Sequence, residues 1–105
     1  MAKKNQDDLN YSLQLDDRTE LKEPKMYKVI IHNDHYTTME FVIEVLVTIF
    51  QKSNEEANRL MLDVHYKGKG IAGFYTYDVA MTKVFQVHHK AKERNYPLRC
   101  SCEES

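Results

Sequence analysis

Residues 41 to 50 read FVIEVLVTIF, and Val42, Ile43, Val45, Leu46, Val47, Ile49 and Phe50 leave almost no polar arc when this stretch is wound as a helix. A helix that is apolar around most of its circumference has no broad face to offer water. It must run through the middle of the domain, with other elements covering it on several sides. Just before it, Thr37 and Glu40 have the spacing of a capping box, in which the hydroxyl satisfies a first-turn N–H and the carboxylate reaches back. The helix is therefore expected to start with Thr37 as its N-cap. The apolar run is about half the roughly 20 residues that a membrane-crossing helix needs, and no charged-then-apolar leader opens the chain. The cytoplasm is the expected compartment, with no membrane partner.

The other periods arrange themselves around this helix. MYKVIIH, residues 26 to 32, is dense in β-branched and aromatic residues and reads as a strand. Ser53 with Glu56 repeats the capping box, and Ala57, Leu60, Met61, Val64 and His65 follow at helical spacing, which places His65 on the inward stripe of a second helix. Gly68 and Gly70 supply its stop. IAGFYTY reads as a second strand, Asp78 or Thr76 caps a third helix with the stripe Ala80, Val84, Val87 and Ala91, and Asn95 and Pro97 end that helix. PLRCSCE alternates Leu98, Cys100 and Cys102 against Arg99 and Ser101, the pattern of a half-buried strand. The order β-α-α-β-α-β defines an α+β single domain, three helices packed on a small three-stranded sheet.

Residues 1 to 25 differ in kind. They carry eleven charges of mixed sign and only scattered apolar residues, too few to offset the entropy of ordering them. They are expected to form a flexible N-terminal tail, leaving 26 to 105 as the folded domain. Fifteen Lys and Arg balance sixteen Asp and Glu, so no basic face suits nucleic acid. Cys100 and Cys102, two residues apart on a strand, are awkwardly placed to bond each other and are expected as reduced core thiols.

Chemistry concentrates in HNDHYTTMEF, residues 32 to 41. No nucleophile elbow or metalloprotease helix motif is present, and Asp34, His35 and His65 have no nucleophile or electrophile to serve, so no catalytic residue and no cofactor are expected. His32, Asp34, His35 and His65 are metal-ligand types, but a strand-to-helix loop gives them no fixed tetrahedral arrangement, and no metal is expected. His88 and His89, adjacent on a helix, point about 100° apart and form no site. What remains is a pocket. Asn33, Asp34, His35 and His65 would supply acceptors at a rim, and Met39, Val42, Met61 and Val64 an apolar cup below. That combination fits an ammonium group beside a large apolar side chain, as in the first residue of a peptide. The same residues also fit ordinary core and a plain Asx turn.

YKVIIHNDHYTTMEFVIEVL, then LMLDVHYKGKG and VAMTK, resembles the ClpS family of adaptors that hand N-degron proteins to the ClpA or ClpC unfoldase of the Clp protease. The resemblance runs from Tyr27 to Glu103. It implies a non-enzymatic binding protein with three helices on an antiparallel sheet, and a monomer is expected. It further implies that Asn33, Asp34, His35 and His65 bind the substrate's α-amino group, and that Thr37, Met39, Val42, Met61, Val64 and Leu98 form the pocket for a Leu, Phe, Tyr or Trp side chain. Contacts to the unfoldase's N-terminal domain would fall around Asp78 and Lys83, with the tail fed toward its pore. Two positions depart from the family pattern: His35 stands where many members have Asp, and Thr38 where many have Pro at the first helical position. The alternative is a protein-docking scaffold module that recognises no amino terminus.

Overall fold

A computed structural model describes residues 24–105. All but the last two residues of the expected tail lie outside the described residues. The elements run β1 (Met26–His32), α1 (Met39–Thr48), α2 (Asn54–Lys67), β2 (Lys69–Thr76), α3 (Tyr77–Glu93) and β3 (Arg99–Glu104), the order the sequence pattern implies.

β1 is the middle strand of an antiparallel sheet ordered β2-β1-β3. Its central place explains its composition, because Val29 and Ile31 turn their side chains into the core while both backbone edges are paired. The β1–β2 register shifts between Val29 and Ile30, so that Val29 faces Gly73 and Ile30 faces Ile71, a bulge at Ala72. β2 begins at Lys69, earlier than IAGFYTY implies, and it contains Gly70. That glycine is therefore not a helix stop. Gly68 alone ends α2, in the left-handed conformation with φ 92°. Gly70 instead lets β2 pass close to α2, for a Cβ there would meet Val64 Cγ2 at 3.0 Å.

α1 buries Phe41, Val42, Val45 and Leu46, and Ile49 and Phe50 continue the core just past its end. Ile43 and Val47 are half-buried, as expected of a helix covered on several sides. Ser53 caps α2 as its spacing implies, accepting from the Glu56 N–H at 3.1 Å. α3 lays Ala80, Val87 and Ala91 against the sheet and core, small enough for close approach. Its N-cap is Thr76, without a side-chain capping bond. Cys100 is buried and free, and burial first, with Cys102 second, pushes its thiol up to about 12, so it stays protonated and unreactive at neutral pH. Cys102 is also free but only half-buried, its Sγ 3.4 Å from Met81 Sδ. No helix of the described residues is long and apolar enough to cross a membrane.

One lysine closes the core. Lys83 Nζ donates to the Ile49 carbonyl at 2.6 Å, the C-cap of α1, and to Gln51 Oε1 at 3.4 Å, with the Phe50 and Tyr75 rings 6.0 and 5.7 Å away. A cation at a helix C-terminus satisfies an orphan carbonyl and complements the dipole. Lys83→Met, which keeps the stem and removes the charge, is expected to cost about 1–2 kcal/mol, as for one charge-assisted bond on a partly exposed group. The urea midpoint should fall with an unchanged slope; an unmoved midpoint would show that the ammonium adds nothing to the fold.

Candidate functional site

The loop between β1 and α1 is built around one carboxylate. Asp34 Oδ1 accepts from the backbone N–H of Tyr36 at 2.8 Å and of Thr37 at 2.7 Å, and Oδ2 accepts from the Thr37 hydroxyl at 2.8 Å. This is an Asx turn with a third bond added. Burial alone would raise the Asp34 carboxyl. The hydrogen bonds from Thr37 and Tyr36, with the neighbouring His35 charge, outweigh it and hold the group below its ordinary value.

That clasp corrects the expected helix start. The Thr37 hydroxyl donates to Asp34, which holds that side chain toward the loop, and the N-cap is Thr38, whose Oγ1 accepts from the Phe41 N–H at 3.1 Å. Thr38 is therefore not a first helical residue lacking proline's restraint; it is the cap itself. The capping-box partner of Thr38 would be Phe41, so Glu40 has no reach-back bond to make. At the loop's other end the Asn33 N–H donates to the Gly68 carbonyl at 2.9 Å, which ties the loop to the C-terminal end of α2.

Between these anchors lies a cavity of about 460 Å³. Asn33, Asp34, His35 and Thr37 line it from the loop, Met39 and Val42 from α1, and Met61, Val64 and His65 from α2. Val42, Met61 and Val64, at 6%, 8% and 3% exposure, form an apolar floor anchored in the core. Met39 stands higher, 41% exposed. Asn33, His35 and His65 are exposed at the rim, and His65 sits edge-on to Tyr66 with ring centroids 4.7 Å apart. The His65 imidazole therefore rises to the lip of the cup, off the inward stripe its spacing suggested.

Leu98 is not among the residues that line this cavity, although it belongs to the same core cluster as Val42, Met61 and Val64. Leu98 is 4% exposed and lines a separate groove with Tyr96 and Pro97. The reason lies in the sheet order: Leu98 leads into β3, which packs with α3, while α2 lies with β2 at the other edge. Conversely, Tyr36, Thr38 and Glu40 line the cup without having been read as site residues. Tyr36 lies in the same loop segment, and the spacing of Glu40 from Thr37 points to capping.

The remaining candidates fall elsewhere. His32 Nε2 lies 2.8 Å from Ser101 Oγ on β3, and burial, followed by the charges of Arg99 and Lys69, lowers its pKa despite Glu103. It is a strand side chain paired across the sheet and does not join His35. Asp78 is exposed in the first turn of α3, and Lys83 holds α1; neither lines the cup.

A loop clasped by its own carboxylate, exposed acceptors around an opening and an apolar floor below them define a small α+β binding domain. Residues 22–101 match the family model for the ATP-dependent Clp protease adaptor protein ClpS. The chain is 61% identical over 82 residues to the ATP-dependent Clp protease adapter protein ClpS of Syntrophus aciditrophicus (strain SB), spanning 78% of this chain and 77% of that protein. It is 48% identical over 103 residues to the ClpS of Myxococcus xanthus (strain DK1622), spanning 98% and 96%. Among solved structures, Agrobacterium tumefaciens ClpS2 bound to L-phenylalaninamide superposes with a TM-score of 0.76 at 35% identity, covering 79% of this chain and all of that one. The chain belongs to the ClpS family: it is an adaptor of the ATP-dependent Clp protease, not an enzyme.

Proposed function

We propose that this chain binds the first residue of N-degron proteins, a Leu, Phe, Tyr or Trp, in the cup between the 33–38 loop, α1 and α2. In this reading it delivers those proteins to the N-terminal domain of a ClpA or ClpC unfoldase in the cytoplasm. The observation that carries the reading is the pairing of exposed acceptors with an apolar floor in one cavity. It occurs in a fold whose relative ClpS2 was solved with L-phenylalaninamide, a compound with a free α-amine and a large apolar side chain.

The magnitudes suit a carrier. Burying a Leu or Phe side chain is worth about 1.5–3 kcal/mol, and each hydrogen bond to a charged amine about as much. One side chain and three bonds, less the cost of association, give a dissociation constant on the order of micromolar. Cargo held at that strength is also released. Met39 beside the opening is placed to clash with side chains branched at Cβ, and small first residues would leave the floor uncovered.

Delivery is assigned to other surfaces: Asp78 and Lys83 toward the unfoldase, and residues 1 to 25 toward its pore. Titration with short peptides that differ only in first residue tests the reading. Leu and Phe are expected to bind roughly tenfold or more tighter than Val and Gly. Equal affinities across the four would favour a docking scaffold without amino-terminus recognition.

A further inference from the structure

The cup, as read above, must seat a cation, yet its most obvious anion is already engaged. Asp34 gives three of its acceptor positions to Tyr36 and Thr37, two on Oδ1 and one on Oδ2. A carboxylate held this way shapes the loop and keeps its charge, but it has little left with which to meet a ligand's N–H groups. Position 35, beside it, holds a histidine, which can accept through one ring nitrogen when neutral and supplies no negative charge. Asn33 and His65 likewise supply no negative charge.

The opening also lies at the N-terminal end of α1, where Met39 and Glu40 form the first helical turn. Unpaired N–H groups there carry the equivalent of roughly half a positive charge. An ammonium brought to such a place feels that partial charge, and Asp34, the one anion already in the loop, has its acceptor positions largely taken.

Glu40 meets that need. It lines the cup, it is exposed, and among the described residues its carboxylate takes part in no hydrogen bond or ion pair. The shift of the cap from Thr37 to Thr38 relieves it of the reach-back role its spacing suggested. On the reading that the cup holds an amino terminus, we infer that Glu40 is the carboxylate that pairs with the α-ammonium in this chain, in place of a fixed anion at position 35. Asn33, His35 and His65 then orient the amine by hydrogen bonds, and Glu40 supplies the charge. The same carboxylate is compatible with the fold without a ligand's charge beside it, because an anion in the first helical turn is favoured by the dipole.

The test compares the full chain with Glu40→Gln, which keeps the side-chain size and removes the charge, using a free-amine Leu peptide and its acetylated twin. The parent is expected to prefer the free amine. Glu40→Gln is expected to bind the free-amine peptide roughly tenfold or more weakly, with a flatter dependence on salt. Adding His35→Asp to Glu40→Gln should return most of the lost affinity, since it places a fixed anion at the rim. A parent that prefers the free amine and a Glu40→Gln variant that binds it within twofold of the parent would overturn the role of Glu40 alone. A parent that binds both peptides equally would remove the underlying reading as well. Weak binding by Glu40→Gln that His35→Asp does not restore would show that Glu40 acts by shaping the start of α1 and not by charge, which also overturns the inference.

Discussion

Acetylating the α-amine of a Leu-initiated peptide is expected to cost at least about 2 kcal/mol of binding, a thirtyfold or greater loss, while the side chain and the rest of the peptide stay the same. Two effects add. The acetyl group removes the positive charge, so each bond from the rim loses its charge assistance, and charged hydrogen bonds are worth about twice neutral ones. It also occupies the space between Asn33, His35 and His65 and leaves those acceptors facing a group that offers one N–H where the ammonium offers three. The floor of Val42, Met61 and Val64 would still receive the Leu side chain, so residual binding is expected to follow side-chain size. Isothermal titration of the two peptides measures the difference; affinities equal within error would mean that the rim does not read the amine.

Asp34→Ala should do comparable damage from the protein's side. The substitution leaves the Tyr36 and Thr37 N–H groups and the Thr37 hydroxyl without their partner, and three such bonds on a half-buried loop correspond to about 2–4 kcal/mol of local order. Freed from Asp34, the Thr37 hydroxyl would compete with Thr38 to cap α1, blurring the start of the helix that carries Met39 and Val42 into the cup. Peptide affinity is expected to fall by roughly a hundredfold or more, and the Tyr36 and Thr37 amides should exchange much faster with solvent. Asp34→Asn keeps an oxygen for the two backbone donors and should fall between. The pH dependence follows from sign. The folded-state pKa of Asp34 lies below its ordinary value near 3.8, so the clasp contributes fully above that value and is lost as pH falls through the lower folded one. From pH 5.5 to 8 the turn should therefore hold unchanged. Slow exchange at Tyr36 and Thr37 in Asp34→Ala would mean that other contacts hold the loop.

Features that depend on near neighbours were readable from the chain. β1, the Ser53 cap, the left-handed Gly68 and the small-residue face of α3 each follow from a few residues whose preferences agree. Most of the lining of the candidate cup is legible for the same reason, since one loop and the first turns after it carry most of those residues. The cap of α1 differs from the expected one because two threonines stand side by side and either hydroxyl can cap a helix, while the capping-box spacing favours Thr37. What decides between them is Asp34, three residues before Thr37, which accepts from the Thr37 hydroxyl and holds that side chain toward the loop. The place of Leu98 is not legible for a different reason: which edge of the sheet β3 occupies depends on long-range packing that alternation does not encode. Phe41 is the counterpart case. It is 2% exposed beneath the Tyr96 ring, 4.8 Å between centroids, with Arg94 across its face, and those partners come from beyond the end of α3. A local pattern places it on a helix without showing how deeply it is buried.

The central claim is that one cup reads a free amine and an apolar side chain together, and amide chemical shifts recorded with L-phenylalaninamide and with its N-acetyl form test it most directly. The free-amine compound is expected to perturb residues 33 to 42 and 61 to 65 in a saturable way, and the acetylated compound to leave them nearly unmoved at the same concentration. Shifts centred instead on the groove formed by Tyr96, Pro97 and Leu98, or the same pattern from both compounds, would contradict it.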